Sequence, residues 1–150
     1  MPANPIEIPR ALVNQILHHA QSFPEREVCG LVGAKDGIPT SWHPVANAAA
    51  SPQVRFQLDP KGQIEAMRRI RERGEELFAI VHSHPNAPAE LSPTDLAGAV
   101  YLDALYWVIS LDTKGVLEMR GFRIAQDKSV EEIKLLLKNE WPISTSDGLA

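Results

Sequence analysis

The stretch Ala79–Gly98, AIVHSHPNAPAELSPTDLAG, decides how the chain is read. It opens inside the apolar run "LFAIVHS", which reads as a buried strand stopped by Pro85. A loop follows over Asn86–Leu91. "SPTD" then starts a helix over Ser92–Ala99, with Ser92 at the N-cap, Pro93 in the first position and Asp95 favourable to the helix dipole. An inert protein could use the same helix start. The histidines set this one apart. His82 and His84, at i and i+2 on an extended segment, project from one face. Ser92 and Asp95, at i and i+3 on a first helical turn, are neighbours. The loop between them lets that turn fold back over the strand end. Two imidazoles and a carboxylate are a zinc-like donor set. Three protein ligands leave a fourth position for water, as in a hydrolytic rather than a structural zinc site.

Outward from this stretch, the pattern alternates helices with strands. Leu12, Ile16, Leu17, Ala20 and Phe23 recur at helical spacing behind Pro9, after a short extended piece at Ile6–Ile8. "VCGLVGA" from Val28 reads as a strand, Asp36-Gly37 as a hairpin turn, and Thr40–Val45 as the returning strand. "NAAASP" is a loop, and "QVRFQL" alternates as a strand should. Asp59 and Pro60 open a helix through about Glu72, stopped at Gly74. "ALYWVISL" and "GVLEMRGFRIA" are two further strands, the second with Gly121 inside it. In the C-terminal segment, Ser129 and Glu132 form a capping box that favours a helix, while Val130–Leu137 could instead pair as an edge strand. The order of elements predicts one α/β (α+β) layer around a mixed sheet.

Composition narrows the function. A chain of 150 residues with a 44% hydrophobic fraction fits one compact domain with a real core. The expected domain is 1–150, with its core at about 9–137 and a flexible tail at about 142–150. Against 15 basic residues stand 19 acidic ones, for a net charge of −4, so no basic excess points to nucleic acid or an acidic membrane surface. Arg68, Arg69, Arg71 and Arg73 are interleaved with Glu65, Glu72, Glu75 and Glu76, the pattern of a solvated helix face. The lone Cys29 excludes an internal disulfide and any multi-cysteine metal cluster, which fits a reducing compartment. With no signal-like segment and no membrane-length apolar run, the expectation is a soluble cytoplasmic protein. His18 and His19 diverge around a helix and cannot easily chelate together. His43, between Trp42 and Pro44, is a candidate for lining a substrate groove. Cys29 is expected to fill a core gap rather than act as a nucleophile.

The motif "HSHPNAPAELSPTD" resembles that of the JAMM, or MPN+, class of zinc metalloproteases. "EVCGLVG", "RFQLDP" and "LYWVISL" extend the likeness over roughly Pro9 to Ala125, and it looks closest to the small, insertion-free prokaryotic members. The resemblance implies a mixed β-sheet flanked by helices, similar to cytidine deaminases, and one Zn²⁺ per chain held by His82, His84 and Asp95. It also implies Glu27 as the general base that binds the attacking water, and Ser92 as a donor to the oxyanion. Glu25 competes with Glu27 for that place, and the "E-x-C-G" phrase at the strand entry favours Glu27. Many such sequences have proline before the motif serine, where this chain has Leu91 and places Pro93 after it. The implied reaction is hydrolysis of an amide bond, peptide or isopeptide, at the C-terminal tail of a ubiquitin-like sulfur-carrier protein ending in Gly-Gly. Alternatives are hydrolysis of small amides or peptides, ubiquitin-type deconjugation and a non-catalytic scaffold. A DNA-associated role like that of another branch finds no basic surface to support it.

Overall fold

The computed structural model describes residues 4–112 and 117–138. Its elements run β1 (Ile6–Pro9), α1 (Arg10–Ser22), β2 (Cys29–Lys35), β3 (Ile38–Val45), α2 (Pro60–Glu72), β4 (Glu76–His84), α3 (Pro93–Gly98), β5 (Leu105–Ser110), β6 (Glu118–Ile124), β7 (Val130–Ile133) and β8 (Leu135–Lys138). Six strands form one sheet in the order β3-β2-β4-β5-β6-β7, while β1 and β8 pair in parallel beside it. Only β4 and β5 are parallel within the large sheet; their connection crosses over through α3, and its other neighbours are antiparallel. The fold is mixed α/β, as the pattern predicts.

The sheet is buried on both faces. On one, Leu12, Val13, Ile16 and Ala20 of α1 pack with Val32, Ala79, Val81, Leu105, Trp107 and Ile109. On the other, Ala66 and Ile70 of α2 pack with Leu31, Ile80 and Tyr106. The period-two alternation of β4 therefore sends Ala79 and Val81 to α1, and Ile80 to α2. By the same period, His82 and His84 continue the α2 face. From Ala79 onward that face is apolar until the strand's last three residues.

Local signals act where expected. Asp36 and Gly37 take positive φ (53° and 78°) in the β2–β3 turn, the conformation that a tight hairpin requires. Asp59 caps α2 by accepting from Gly62 N at 2.9 Å, and Gly74 follows the helix with φ 72°. Among the described residues no helix is long and apolar enough to cross a membrane.

One expectation fails, and one open choice is decided by packing. "QVRFQL" does not form a strand: Val54 N and Arg55 N both turn back to Ser51 O at 3.2 Å, and only Leu58 bridges, to Asn47. Its alternation is real, since Phe56 and Leu58 pack on the α2 side. Its backbone is held by the Asn47 side chain and by single bonds from Ala48 N to Gln57 O (2.8 Å) and from Asp59 N to Ala46 O (3.0 Å), not by a continuous ladder. The capping box at Ser129 does not start a helix either. Val130–Ile133 pairs with β6, and Glu132 meets Arg120 across the strands at 2.6 Å. Ile133 reaches the α1-side core, so tertiary burial outweighs a local cap worth about 1 kcal/mol. The edge-strand alternative holds. The expected tail at about 142–150 lies outside the described residues.

Candidate functional site

The β4 end is fixed from both sides. Cys29 and Val108 stand in register with His82, and Ser110 with His84. Ser83, on the opposite face, ties the strand to the residues that follow Glu27: Val28 N donates to Ser83 Oγ at 2.9 Å, and Ser83 N to Val28 O at 3.0 Å. Beyond Pro85 the loop folds back. Ser110 Oγ donates to Ala87 O at 2.7 Å, His84 Nδ1 to Pro88 O at 2.8 Å, and Ala89 is buried against Val108 and Phe122. This turn delivers α3. Ser92 Oγ accepts from Asp95 N at 3.0 Å, and Asp95 Oδ2 accepts from Ser92 N at 2.9 Å. The cap therefore aims the carboxylate as well as starting the helix.

One donor atom each from Glu27, His82, His84 and Asp95 lies within 4.8 Å of the others. His82 Nε2 and His84 Nε2 stand 3.1 Å apart, and each lies 3.1 Å from Asp95 Oδ2. Protons cannot satisfy that triangle, because each Nε2 carries either a hydrogen or a lone pair. At least one edge must set lone pair against lone pair, or N–H against N–H. The bond from His84 Nδ1 to Pro88 O favours the tautomer whose Nε2 lone pair faces inward. A cation at the centre makes all three contacts attractive. A tetrahedral ion with ligands at about 2.0–2.1 Å would space its donors by roughly 3.3 Å, close to the observed edges. The donor set thus fits zinc in number, type and spacing.

The electrostatics divide the two histidines. Burial pushes His82 toward its neutral, ligating form. His84 is disfavoured as a cation by burial, but Asp95, the Pro88 carbonyl and Glu27 outweigh this and raise its pKa. For Asp95, burial favours the neutral acid, and hydrogen bonds from both histidines overcome it, holding the carboxyl far below its ordinary range. Burial raises Glu27 to about 7, with His84 opposing and Asp95 adding to the rise. Buried Glu27 Oε1 and His82 Nδ1 have no hydrogen-bond partner. Unpaired buried polar atoms are costly, and among the described residues two of the four side-chain atoms of this kind belong to the cluster, the others being Trp42 Nε1 and Trp107 Nε1.

Between the two candidate bases, the fold brings Glu27 into the cluster, 4% exposed, and leaves Glu25 exposed in the preceding turn. Ser92 meets the cluster only through Asp95; with its Oγ accepting from Asp95 N, its hydroxyl proton stays free to donate. His18 is exposed, and His19 packs edge-on against Phe23 and Trp42. His43 turns to Ser41 Oγ at 2.9 Å. Burial, then the Glu27 charge, pushes the Cys29 thiol to about 12, which leaves it a packing residue.

Two further residues, Asn47 and Phe56, shape the site. Asn47 uses its whole amide: Nδ2 donates to Glu27 O (2.9 Å) and Arg55 O (3.0 Å), and Oδ1 accepts from Ala49 N and Gln57 N, both at 3.0 Å. That loop carries Phe56, which stacks on His82 with ring centroids 4.2 Å apart. An asparagine in a loop is too ordinary to flag this hub. Of the four clustered residues, Asp95 lines a cleft of about 620 Å³, whose walls also include Phe56, Leu58, Gln63, Val100 and Tyr101.

Over residues 9–124 the sequence matches the family described as prokaryotic homologs of the JAB domain. The chain belongs to that family. Among its JAB-domain relatives, a desampylase of Haloferax volcanii is 35% identical over 105 residues, 66% of this chain and 76% of the relative. A probable TtuB-protein conjugate cleaving protease of Thermus thermophilus is 27% identical, covering 85% of this chain and 82% of the relative. A solution structure of a protein from Desulfitobacterium hafniense superposes with a TM-score of 0.81 at 30% identity, covering 92% of this chain and 96% of that one.

Proposed function

We propose that this JAB-domain chain is a zinc-dependent peptidase that hydrolyses an amide bond at the C-terminal tail of a ubiquitin-like sulfur-carrier protein ending in Gly-Gly. The observation that carries the proposal is the convergence of Glu27, His82, His84 and Asp95 within 4.8 Å of one another, with Asp95 in the wall of a cleft. Relatives named for removing or cleaving protein conjugates support the substrate class.

His82 Nε2, His84 Nε2 and Asp95 Oδ2 would hold one Zn²⁺ per chain. When bound, zinc supplies Lewis acidity that polarises the scissile carbonyl and lowers the pKa of an adjacent water from 15.7 toward about 7. Glu27 takes a proton from the attacking water at its carboxylate and returns it to the departing amine nitrogen. The Ser92 hydroxyl donates to the oxyanion, while its own lone pair stays engaged by Asp95 N. Phe56 covers one face of His82 and keeps bulk water from that ligand.

The test incubates zinc-supplemented protein with a Gly-Gly carrier bearing one extra C-terminal residue, and with a free dipeptide. Mass spectrometry should show the carrier shortened by that residue and the dipeptide intact, with chelator abolishing the reaction. Preference for the dipeptide would move the function to small-peptide hydrolysis. Loss of neither residue nor adduct from any carrier would end the proposal.

A further inference from the structure

Asp95 stands on α3, a helix of six residues, and a helix that short does not hold its own shape in water. Its N-terminal end is tied by the reciprocal bonds of Ser92 and Asp95. Its other end borders the cleft of about 620 Å³: Gly98 and Ala99 line the wall, and a Cβ on Gly98 would meet nothing within 4 Å. The closing bond there, Ala99 N to Leu96 O, is 3.3 Å long. No basic residue stands in the last turn of α3 to answer the carbonyls a helix leaves unpaired at that end.

The cation comes from another element. Lys128 Nζ donates to Leu96 O at 2.9 Å and to Ala99 O at 2.8 Å, and Leu96 is the residue directly after Asp95. Lys128 sits in the turn between β6 and β7. Its own N–H donates to Ala125 O at 2.8 Å, Ala125 N to Ser129 O at 2.9 Å, and Ser129 N to Asp127 Oδ1 at 2.9 Å. The φ of Lys128 is 70°, in the left-handed region where glycine is at ease and a lysine is strained. Asp36, the other non-glycine residue at positive φ among the described residues, is of a type that tolerates it. Local preference therefore asks for glycine at position 128, and the two bonds to α3 are what a lysine there supplies instead.

We infer that Lys128 is a positioning residue for the metal site: its ammonium fastens the C-terminal end of α3 to the β6–β7 hairpin and so sets where Asp95 stands. The inference rests on the zinc site proposed above. Metal donors must stand within about 0.2 Å of their bonding distances. A six-residue helix free to shift at one end would not hold Asp95 Oδ2 that closely against His82 and His84. Lys128 acts through two backbone carbonyls and takes no part in the bond-breaking step.

The experiment measures zinc affinity by competition with a chromophoric chelator, at a temperature where every variant is folded. Three substitutions separate the ammonium from the backbone strain. Lys128→Met removes the donor and keeps the strain, Lys128→Gly removes both, and Lys128→Arg keeps a cation with N–H donors. K128M and K128G should each bind zinc about tenfold more weakly than wild type, the low end of what the outer hydrogen-bond partners of a ligand carry. K128R should stay within about threefold of wild type, since its bonds to the carbonyls remain charge-assisted. An independent readout uses metal-free protein: the amide NMR signals of Thr94, Asp95 and Leu96 should move in K128M and K128G and stay in place in K128R. Wild-type zinc affinity in K128M or K128G would overturn the role of Lys128 and leave the zinc site standing. K128R binding as weakly as K128M would do the same, because the charge would then not be what matters. Failure of wild type itself to bind zinc would fell the metal site, and the positioning role with it.

Discussion

Glu27 and Glu75 are both carboxylates folded into the protein interior, and the protein treats them in opposite ways. Glu75 receives Ser41 Oγ and Thr40 Oγ1 at 2.6 Å each and Arg73 Nε at 3.1 Å, with its side chain 5% exposed. Burial pulls its pKa up, but those three donors outweigh it and hold it below the ordinary range. Even the backbone yields to this network, since a Cβ on Gly33 would sit 2.7 Å from Glu75 Oε1 and Ser41 Oγ. Glu27 has no donor on its buried Oε1, and burial raises it to about 7. One carboxylate is satisfied and inert. The other is left wanting a proton or a cation. The cost of an unpaired buried group of this kind is stored where chemistry can draw on it.

Exchange of each acid for its amide should separate the two roles most sharply. Glu27→Gln should lower kcat by more than a thousandfold with zinc still bound at one per chain, measured by turnover and by metal analysis, because it removes the proton carrier and not a ligand. Glu75→Gln should leave kcat unchanged and cost about 1–3 kcal/mol in denaturant unfolding, since an NH₂ would then face existing donors. Normal turnover by E27Q would show that the proton carrier is a different group.

Ser92 tests the next level. Ser92→Ala removes both an oxyanion donor and a helix cap, and kcat should fall about a hundredfold. Ser92→Gly keeps most of the capping tendency without the hydroxyl. It should lose the same activity at little cost in stability if the hydroxyl acts on the oxyanion, whereas full activity in the glycine variant would leave Ser92 with the cap alone.

The smallest effect is one of pH on metal-free protein. The folded pKa of Glu27, about 7, lies above its ordinary 4.5. Its contribution to stability is therefore fully present below 4.5 and is lost as pH rises through 7. From pH 5 to pH 8, E27Q should gain on wild type by on the order of 2 kcal/mol in unfolding free energy. Glu75 has the opposite sign: its depressed pKa gives stability present above 4.5 and lost as pH falls through the folded value. E75Q and wild type should converge at acid pH. A flat difference curve for E27Q would mean that its carboxylate is not desolvated.

Legibility followed the range of the interactions. Asp36-Gly37, Asp59-Pro60 and Gly74 act within a few residues, and each did in the fold what its chemistry dictates. The misread strand at 53–58 and the open choice at 129–137 share one reason. Residues 53–58 alternate correctly but find their partner in the Asn47 side chain. Ser129 and Glu132 form a sound local cap, yet Ile133 has a core to enter and Arg120 waits across the strand. In both, a contact distant in sequence outbids a local preference, and a single sequence holds no record of it.

Chain order alone determined that His82 and His84 share a face, because the β period is two, and that Asp95 stands one helical turn from its cap. Tertiary structure alone decided that these groups meet at 3.1 Å, that Glu27, which the strand-entry phrase only favoured over Glu25, joins them, and that Asn47 clamps the loop that carries Phe56. Periodicity is a property of the backbone and is written residue by residue. Convergence depends on which strands pair and how loops close, and that is settled only when the whole sheet buries its two faces.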